Sequence, residues 1–131
     1  MQAIDTNLLV RLFVVDDAEQ ARRVRNLFDQ HANEDGALWL ADIVLVELVW
    51  ALDRVYRRDR KQIAVALAAL SGNATVQLES VQAVAEATAL YAGSACDFAD
   101  CLLAAKARRA GCDAVRTFDK GMRALPGVKL L

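Results

Sequence analysis

The sequence predicts an α/β protein with three layers, α/β/α, around a mostly parallel central sheet of four to five strands. Short apolar segments alternate along the chain with longer segments whose apolar residues recur at helical spacing. Strands that alternate with helices form βαβ units, in which a crossover helix connects parallel strands. The 131 residues are 56% hydrophobic and 25% charged, which suits a single domain over residues 1–131 with a core of its own.

Each predicted element follows from local signals. Five short apolar segments bounded by polar or turn residues are predicted as strands, at 2–5, 37–40, 75–78, 114–117 and 128–131. Segments with helical spacing are predicted as helices, at 18–32, 42–57, 60–70, 81–92, 98–110 and 120–124. Asp42 is the predicted N-cap of the second helix, and Gly111 is the predicted stop of the fifth.

Composition excludes several classes of protein. No apolar run reaches the roughly 18–20 residues of a membrane span, and the N-terminus lacks the features of a signal peptide, so a cytoplasmic protein is expected. A net charge of −1 does not fit a generic binder of polyanions. Three cysteines and one histidine predict neither a disulfide framework nor a zinc site.

Five acidic residues, spread over the chain, are placed beside predicted strand ends or on helices near them. Asp5 and Asp119 follow strands, Asp97 and Asp100 open a helix, and Glu47 lies inside an apolar helix. In parallel sheets, ligands bind beyond the carboxyl ends of the strands. Two like charges at ~6 Å repel by about 3 kcal/mol at an effective dielectric constant near 20. A hard divalent cation with oxygen ligands would offset that repulsion.

Among these acids, Glu47 is the one for which the sequence most strongly predicts a role in metal binding. Its neighbours in sequence are almost all apolar, namely Val44, Leu45, Val46, Leu48 and Val49. A buried carboxylate in such surroundings is costly unless it is paired or bound to a cation. Glu47 is therefore predicted to be buried and to ligate a metal ion.

The number of acids favours metal chemistry over acid–base chemistry by a carboxylate pair. Glycosidases and aspartic proteases use two carboxylates at a controlled separation, whereas four or five converging acids fit a metal site better. A Mg²⁺ ion polarises a phosphoryl oxygen and activates a water, and two ions stabilise the attacking and leaving oxygens. The predicted reaction is phosphodiester hydrolysis.

An ordered set of motifs covers almost the whole chain and resembles the PIN-domain family, and within it the VapC-type toxins of bacterial toxin–antitoxin pairs. The motifs are Ile4-Asp5-Thr6-Asn7-Leu8-Leu9-Val10, Glu47 in its apolar helix, Asp97-Phe98-Ala99-Asp100-Cys101-Leu102-Leu103-Ala104-Ala105, Gly111-Cys112, Thr117-Phe118-Asp119 and Leu125-Pro126-Gly127-Val128. Each motif is weak alone, and their order makes the resemblance specific.

The resemblance implies a PIN-like fold and an endoribonuclease toxin that needs one or two Mg²⁺ or Mn²⁺ ions per site and cleaves structured RNA. It also implies a homodimer and a cognate antitoxin protein that neutralises the enzyme. The implied catalytic and metal-binding acids are Asp5, Glu47, Asp100 and Asp119, with Asp97 as an auxiliary ligand. The implied supporting residues, which hydrogen-bond to the acids, are Asn7 and Thr117.

Several of these residues have simpler interpretations. Asp5 and Asp97 are good N-cap residues for the helices that follow them. Basic clusters at 22–25, 54–61 and 106–109 fit solvated helix faces, although any of them could contact a phosphate backbone. Arg11 and Arg116 are the predicted RNA contacts at the rim of the site. Trp39 and Trp50 fit the core or a dimer interface better than they fit a platform for base stacking.

The residues near these acids bear on three other functions. A haloacid-dehalogenase type of phosphoryl transferase would need an acid two residues after Asp5, where Asn7 stands. A phospho-receiver domain would need an Asp after the strand at 75–78, where Glu79 stands. A non-enzymatic alternative is a catalytically silent module for RNA binding or dimerisation, in which the acids bind a basic peptide.

Overall fold

The structure is a computed structural model that describes residues 1–131. The chain divides into two compact units, Met1–Val81 and Gln82–Leu131. It forms six α-helices, one 3₁₀-helix and five strands, and every pair of neighbouring strands is parallel. The predicted α/β class with parallel strands is confirmed.

The first unit contains a three-stranded sheet in which the strands lie in chain order. Strands β1 (Gln2–Ala3), β2 (Leu38–Leu40) and β3 (Val76–Leu78) pair as β1-β2-β3. Ala3 lies beside Trp39, and Trp39 lies beside Gln77. The strands are one or two residues shorter than predicted, because the pairing between strands ends where each strand continues into a helix or a loop.

Four helices connect the strands of this unit: α1 (Thr6–Phe13), α2 (Ala18–Gln30), α3 (Asp42–Arg54) and α4 (Arg60–Ser71). Helix α1 packs against α2 and α3, and α3 packs against α4. No helix is predicted over residues 6–13, yet α1 begins directly after Asp5. The Asp5 carboxylate accepts the backbone N–H of Thr6 at 2.8 Å and so caps the helix.

Both ends of α3 differ from the prediction. The N-cap is Ala41, and Asp42 is the first helical residue and is buried. Its carboxylate accepts the Ser80 hydroxyl at 2.8 Å, and its N–H donates to the Glu79 carboxylate at 3.0 Å. These two bonds fix the start of α3 to the segment after β3. The helix ends at Arg54 because Arg57 has a φ of 53°, in the left-handed region that cannot continue a right-handed helix.

The second unit contains two helices and a two-stranded sheet. Helix α5 (Val81–Ala92) begins at the last residue of the first unit and is followed by α6 (Phe98–Arg109). Strands β4 (Val115–Thr117) and β5 (Val128–Leu130) pair in parallel, and the 3₁₀-helix Lys120–Ala124 connects them. The five predicted strands are therefore all present, but they pair as three plus two rather than as one ladder.

Two local features hold this second unit in shape. The rings of Tyr91 on α5 and Phe98 on α6 meet edge to face, with their centroids 6.0 Å apart. Gly111 ends α6 with a φ of 83°, a conformation that a residue with a side chain rarely adopts, so the predicted stop is confirmed. None of the helices in the protein is long and apolar enough to cross a membrane.

Candidate functional site

Two of the predicted acids, Asp5 and Glu47, line one pocket of about 360 Å³ in the first unit. Asp5 lies immediately before α1, and Glu47 lies in the second turn of α3. The packing of α1 against α3 therefore brings the two residues together. Thr6 bonds to both. It donates its N–H to Asp5 at 2.8 Å and its hydroxyl to Glu47 Oε2 at 2.6 Å. Thr6 therefore holds both carboxylates through its hydrogen bonds.

Glu47 is exposed, and the prediction that it is buried is wrong. Helix α3 buries Leu45 and Leu48 on one side, but Ile43 and Trp50 on the other side are 66% and 61% exposed. Residues at positions 43, 47 and 50 share one face because they are four and three apart. The apolar sequence around Glu47 therefore reflects a helix with an apolar surface face, and not a helix buried all round.

Arg11 forms the centre of a network beside the same pocket. Its guanidinium donates to Gln20 Oε1 at 2.8 Å and to the Tyr56 hydroxyl at 3.2 Å, and it pairs with Asp16 at 3.0 Å. The Tyr56 hydroxyl in turn donates to Asp16 at 3.1 Å. The hydrogen bond with Tyr56, and next the Asp16 charge, raise the pKa of Arg11 against the lowering effect of desolvation. Arg11 is therefore a fixed cation in the pocket wall.

The other three predicted acids lie in the second unit and interact electrostatically. Desolvation raises the pKa of the half-buried Asp100 carboxyl above its ordinary value, and the charges of Asp97 and Asp119 raise it further. Asp97 occupies the N-cap position of α6, but its side chain makes no capping hydrogen bond. Its carboxylate is therefore not committed to the cap that the sequence indicates.

Asp119 and Thr117 are joined by a short turn after β4. The Asp119 carboxylate accepts the N–H of Gly121 at 2.8 Å and so caps the 3₁₀-helix. The Asp119 N–H donates to the Thr117 hydroxyl oxygen at 3.0 Å. Thr117 thus contacts the backbone of Asp119, while Asn7, the other predicted supporting residue, lines the pocket of Asp5 and Glu47.

The raised pKa of Asp100 predicts how the stability of the metal-free protein depends on pH. The folded state binds the Asp100 proton more tightly than the unfolded state does, so stability falls as the pH rises from the ordinary Asp value through the raised one. Above that window, Asp100→Asn is expected to raise the melting temperature of the metal-free protein, and the gain should vanish in acid. Thermal melts in EDTA over a pH series would measure it. An unchanged melting temperature at neutral pH would contradict the raised pKa of Asp100.

The basic clusters are partly committed to ion pairs within the protein. Arg108 binds Glu86 with two hydrogen bonds of 2.8 and 2.7 Å, and Arg109 donates to Gln82 at 2.8 Å. The bonds to Arg108 lower the pKa of Glu86. These arginines therefore tie α6 to α5. Arg116 is exposed on β4 and donates to the Leu130 carbonyl at 3.3 Å.

No three His, Cys, Asp or Glu side chains in the protein converge closely enough to hold a metal ion together. The donors that are present nevertheless have the right chemistry. They are carboxylates, and a cation would offset both causes of the raised pKa of Asp100, which are desolvation first and then the charges of Asp97 and Asp119. Mg²⁺ keeps several waters and is commonly held by one or two carboxylates plus substrate phosphates. The residues fit such a weakly ligated ion, and they do not form a preassembled cage.

Sequence reasoning missed three residues that shape the pocket. Thr6 bonds to both acids, Tyr56 anchors Arg11, and Trp50 is exposed at the pocket wall. Of the two places predicted for Trp50, the core is wrong because the side chain is 61% exposed, and a dimer interface stays a prediction. Trp50 lies two turns beyond Ile43 on the same face of α3, and this spacing could have indicated that both are exposed. Glu47, the partner of the Thr6 hydroxyl, and Arg11, the partner of Tyr56, are distant in sequence, so no local signal predicted those bonds.

Comparison with known proteins agrees with this fold. The PIN domain family model matches residues 3–128, and the chain belongs to that family. It is also similar to a VapC ribonuclease from Aquifex aeolicus (strain VF5), with 25% identity over 125 residues that cover 95% of this chain and 92% of that protein. The family resemblance expected from the motifs is confirmed.

Proposed function

We propose that this chain is a VapC-type endoribonuclease toxin that hydrolyses phosphodiester bonds of structured RNA with Mg²⁺ or Mn²⁺. The observation that carries the proposal is the shared pocket of Asp5 and Glu47, two acids distant in sequence, in a member of the PIN domain family. The similarity to a VapC ribonuclease supports the ribonuclease activity. The predicted single domain over residues 1–131 remains part of the proposal.

The predicted acids serve one reaction in this proposal. Asp5, Glu47, Asp100 and Asp119 would hold one or two ions, and Asp97 would assist. A bound Mg²⁺ or Mn²⁺ supplies Lewis acidity, which polarises the phosphoryl group and activates water. The protein's own part is orientation. The Thr6 hydroxyl holds Glu47 Oε2, and the Thr117 hydroxyl holds the turn of Asp119.

The partners follow from the same proposal. The RNA backbone would meet Arg11 and Arg116 at the rim of the site, where positive charge offsets the field of the acids. A cognate antitoxin protein would neutralise the enzyme, and the enzyme would act as a homodimer in the cytoplasm.

Cleavage assays with purified protein and structured RNA would test the function. We expect cleavage in Mg²⁺ or Mn²⁺, none in excess EDTA, and recovery when the metal is added back. The products should carry 5′-phosphate and 3′-hydroxyl ends, because in this proposal water attacks phosphorus, the P–O3′ bond breaks and the 3′ oxygen leaves with a proton. Cleavage that persists in EDTA, or products with 2′,3′-cyclic phosphate ends, would contradict a metal-dependent hydrolysis.

One observation favours the alternative of a catalytically silent module for RNA binding or dimerisation. No three potential ligands are preassembled, so the acids could instead bind a basic peptide. Calorimetric titration with Mn²⁺ separates the two functions. Saturable binding that is weakened by Asp100→Asn supports the nuclease, and an absence of binding in the presence and absence of RNA supports the silent module.

A further inference from the structure

The pocket of Asp5 and Glu47 has an aromatic wall that metal binding does not require. Trp50 lines it from α3, one turn beyond Glu47, and is 61% exposed. Trp50 and Glu47 are three residues apart, so both lie on the same face of the helix. A large apolar side chain that is mostly in water gains free energy when a ligand covers it.

The wall near Trp50 is fixed in place by hydrogen bonds. The Tyr56 hydroxyl and the Arg11 guanidinium bond to each other and to Asp16, and Gln20 holds Arg11 from α2. Because these groups are already paired, a ligand meets a rigid surface and little ordering is needed on binding. The surface combines an aromatic face, a cation and the polar side chain of Asn7.

We infer that this pocket binds an unpaired nucleobase of the RNA, with its ring stacked on the indole of Trp50. The inference rests on the proposed function, which supplies RNA as the substrate. Unpaired bases are recognised by stacking on aromatic side chains and by hydrogen bonds to their edges. A volume of about 360 Å³ lies within the roughly 300–1,000 Å³ of small-ligand pockets. The stacked base would hold its phosphodiester next to Asp5 and Glu47.

A subunit contact is the competing use of Trp50, and α3 offers a control for it. Ile43 is 66% exposed on the same face of α3 but does not line the pocket. A dimer interface along α3 would use both residues, whereas a base site would use Trp50 alone. Ile43→Ala is therefore the matched variant in each measurement below.

Steady-state cleavage kinetics test the stacking directly. We expect Trp50→Leu, which keeps an apolar side chain without a ring, to raise KM about tenfold and to change kcat much less. Trp50→Phe should restore KM to within about threefold of the parent protein, because a smaller ring still stacks. Ile43→Ala should change neither constant. An unchanged KM in Trp50→Leu would overturn the inference, as would sedimentation showing that Trp50→Leu converts a dimer to a monomer.

Fluorescence provides a readout that does not depend on cleavage. The protein has two tryptophans, Trp39 and Trp50, so Trp39→Phe leaves Trp50 as the only reporter and Trp50→Phe leaves Trp39. In the Asp100→Asn background with Mg²⁺, a single-stranded RNA oligonucleotide should quench Trp50 and not Trp39. An oligonucleotide without bases should quench neither.

The two assays separate failure of the inference from failure of the proposed function. Cleavage by the parent protein without quenching of Trp50 overturns the base site and leaves the nuclease standing. Quenching of Trp50 by RNA, together with no cleavage of RNA by the parent protein, supports the base site and overturns the nuclease.

Discussion

Asp5→Asn is expected to lower the rate of RNA cleavage by at least about 100-fold in saturating Mg²⁺. Loss of a residue that merely supports a metal ligand typically costs roughly 10–100-fold, and loss of a ligand should cost more. Asparagine has nearly the same size, and its amide oxygen can still accept the Thr6 N–H that begins α1. The substitution therefore removes charge while it keeps the cap. Cleavage rates measured together with circular dichroism would separate activity from folding.

Matched variants make this result specific to the acids of the site. Asp53→Asn removes an exposed charge from the end of α3, outside the pocket, and should leave cleavage within about twofold of the parent rate because surface substitutions have small effects. Asp100→Asn should match Asp5→Asn, and the double variant should lose little more than either single one, because groups that act as a unit are not additive. An unchanged rate of RNA cleavage in Asp5→Asn would contradict the proposed function.

Leu48→Ala is expected to lower the free energy of unfolding by about 2–5 kcal/mol, which is a large part of the roughly 5–15 kcal/mol of a typical domain. Leu48 is fully buried, at 0% exposure, although it is the direct neighbour of the exposed Glu47. Removing its side chain loses apolar burial and leaves a cavity beneath α3. Urea or guanidinium unfolding followed by circular dichroism would measure the change.

Glu47 and Val65 provide the controls for that measurement. Glu47→Gln should leave stability nearly unchanged and lower the cleavage rate, because the side chain is at the surface and in the pocket. Val65→Ala on α4, where Val65 is 64% exposed, should change stability by less than about 0.5 kcal/mol. If Leu48→Ala proved as mild as Val65→Ala, the assigned inner side of α3 would be wrong.

The class and order of the elements followed from local signals. Alternating apolar segments and the stop at Gly111 place strands and helices near their observed positions. Helix α1 was missed because it has only eight residues and opens with Thr-Asn, so its start depends on the Asp5 cap. The pairing of strands as three plus two was also hidden, because ladders form between segments distant along the chain.

The candidate site was predicted as a set of acids and not as a surface. Asp5 and Glu47 do share a pocket, and Asp97, Asp100 and Asp119 do interact. The exposure of Glu47 was not predicted, because a run of apolar neighbours does not show which side of a helix faces the core. The network of Arg11, Tyr56 and Asp16 depends on side chains some 40 positions apart, and a single sequence does not reveal such pairs.

The distribution of the three cysteines has a practical consequence for measuring the oligomeric state. Cys96 and Cys101 are buried, whereas Cys112 is exposed just after Gly111. An accessible thiol can form a disulfide with the same thiol of another molecule when no reductant is present. Such a covalent pair would have the mass of a homodimer without any native interface. Size measurements should therefore be made in reductant or on Cys112→Ser, so that air oxidation is not mistaken for assembly.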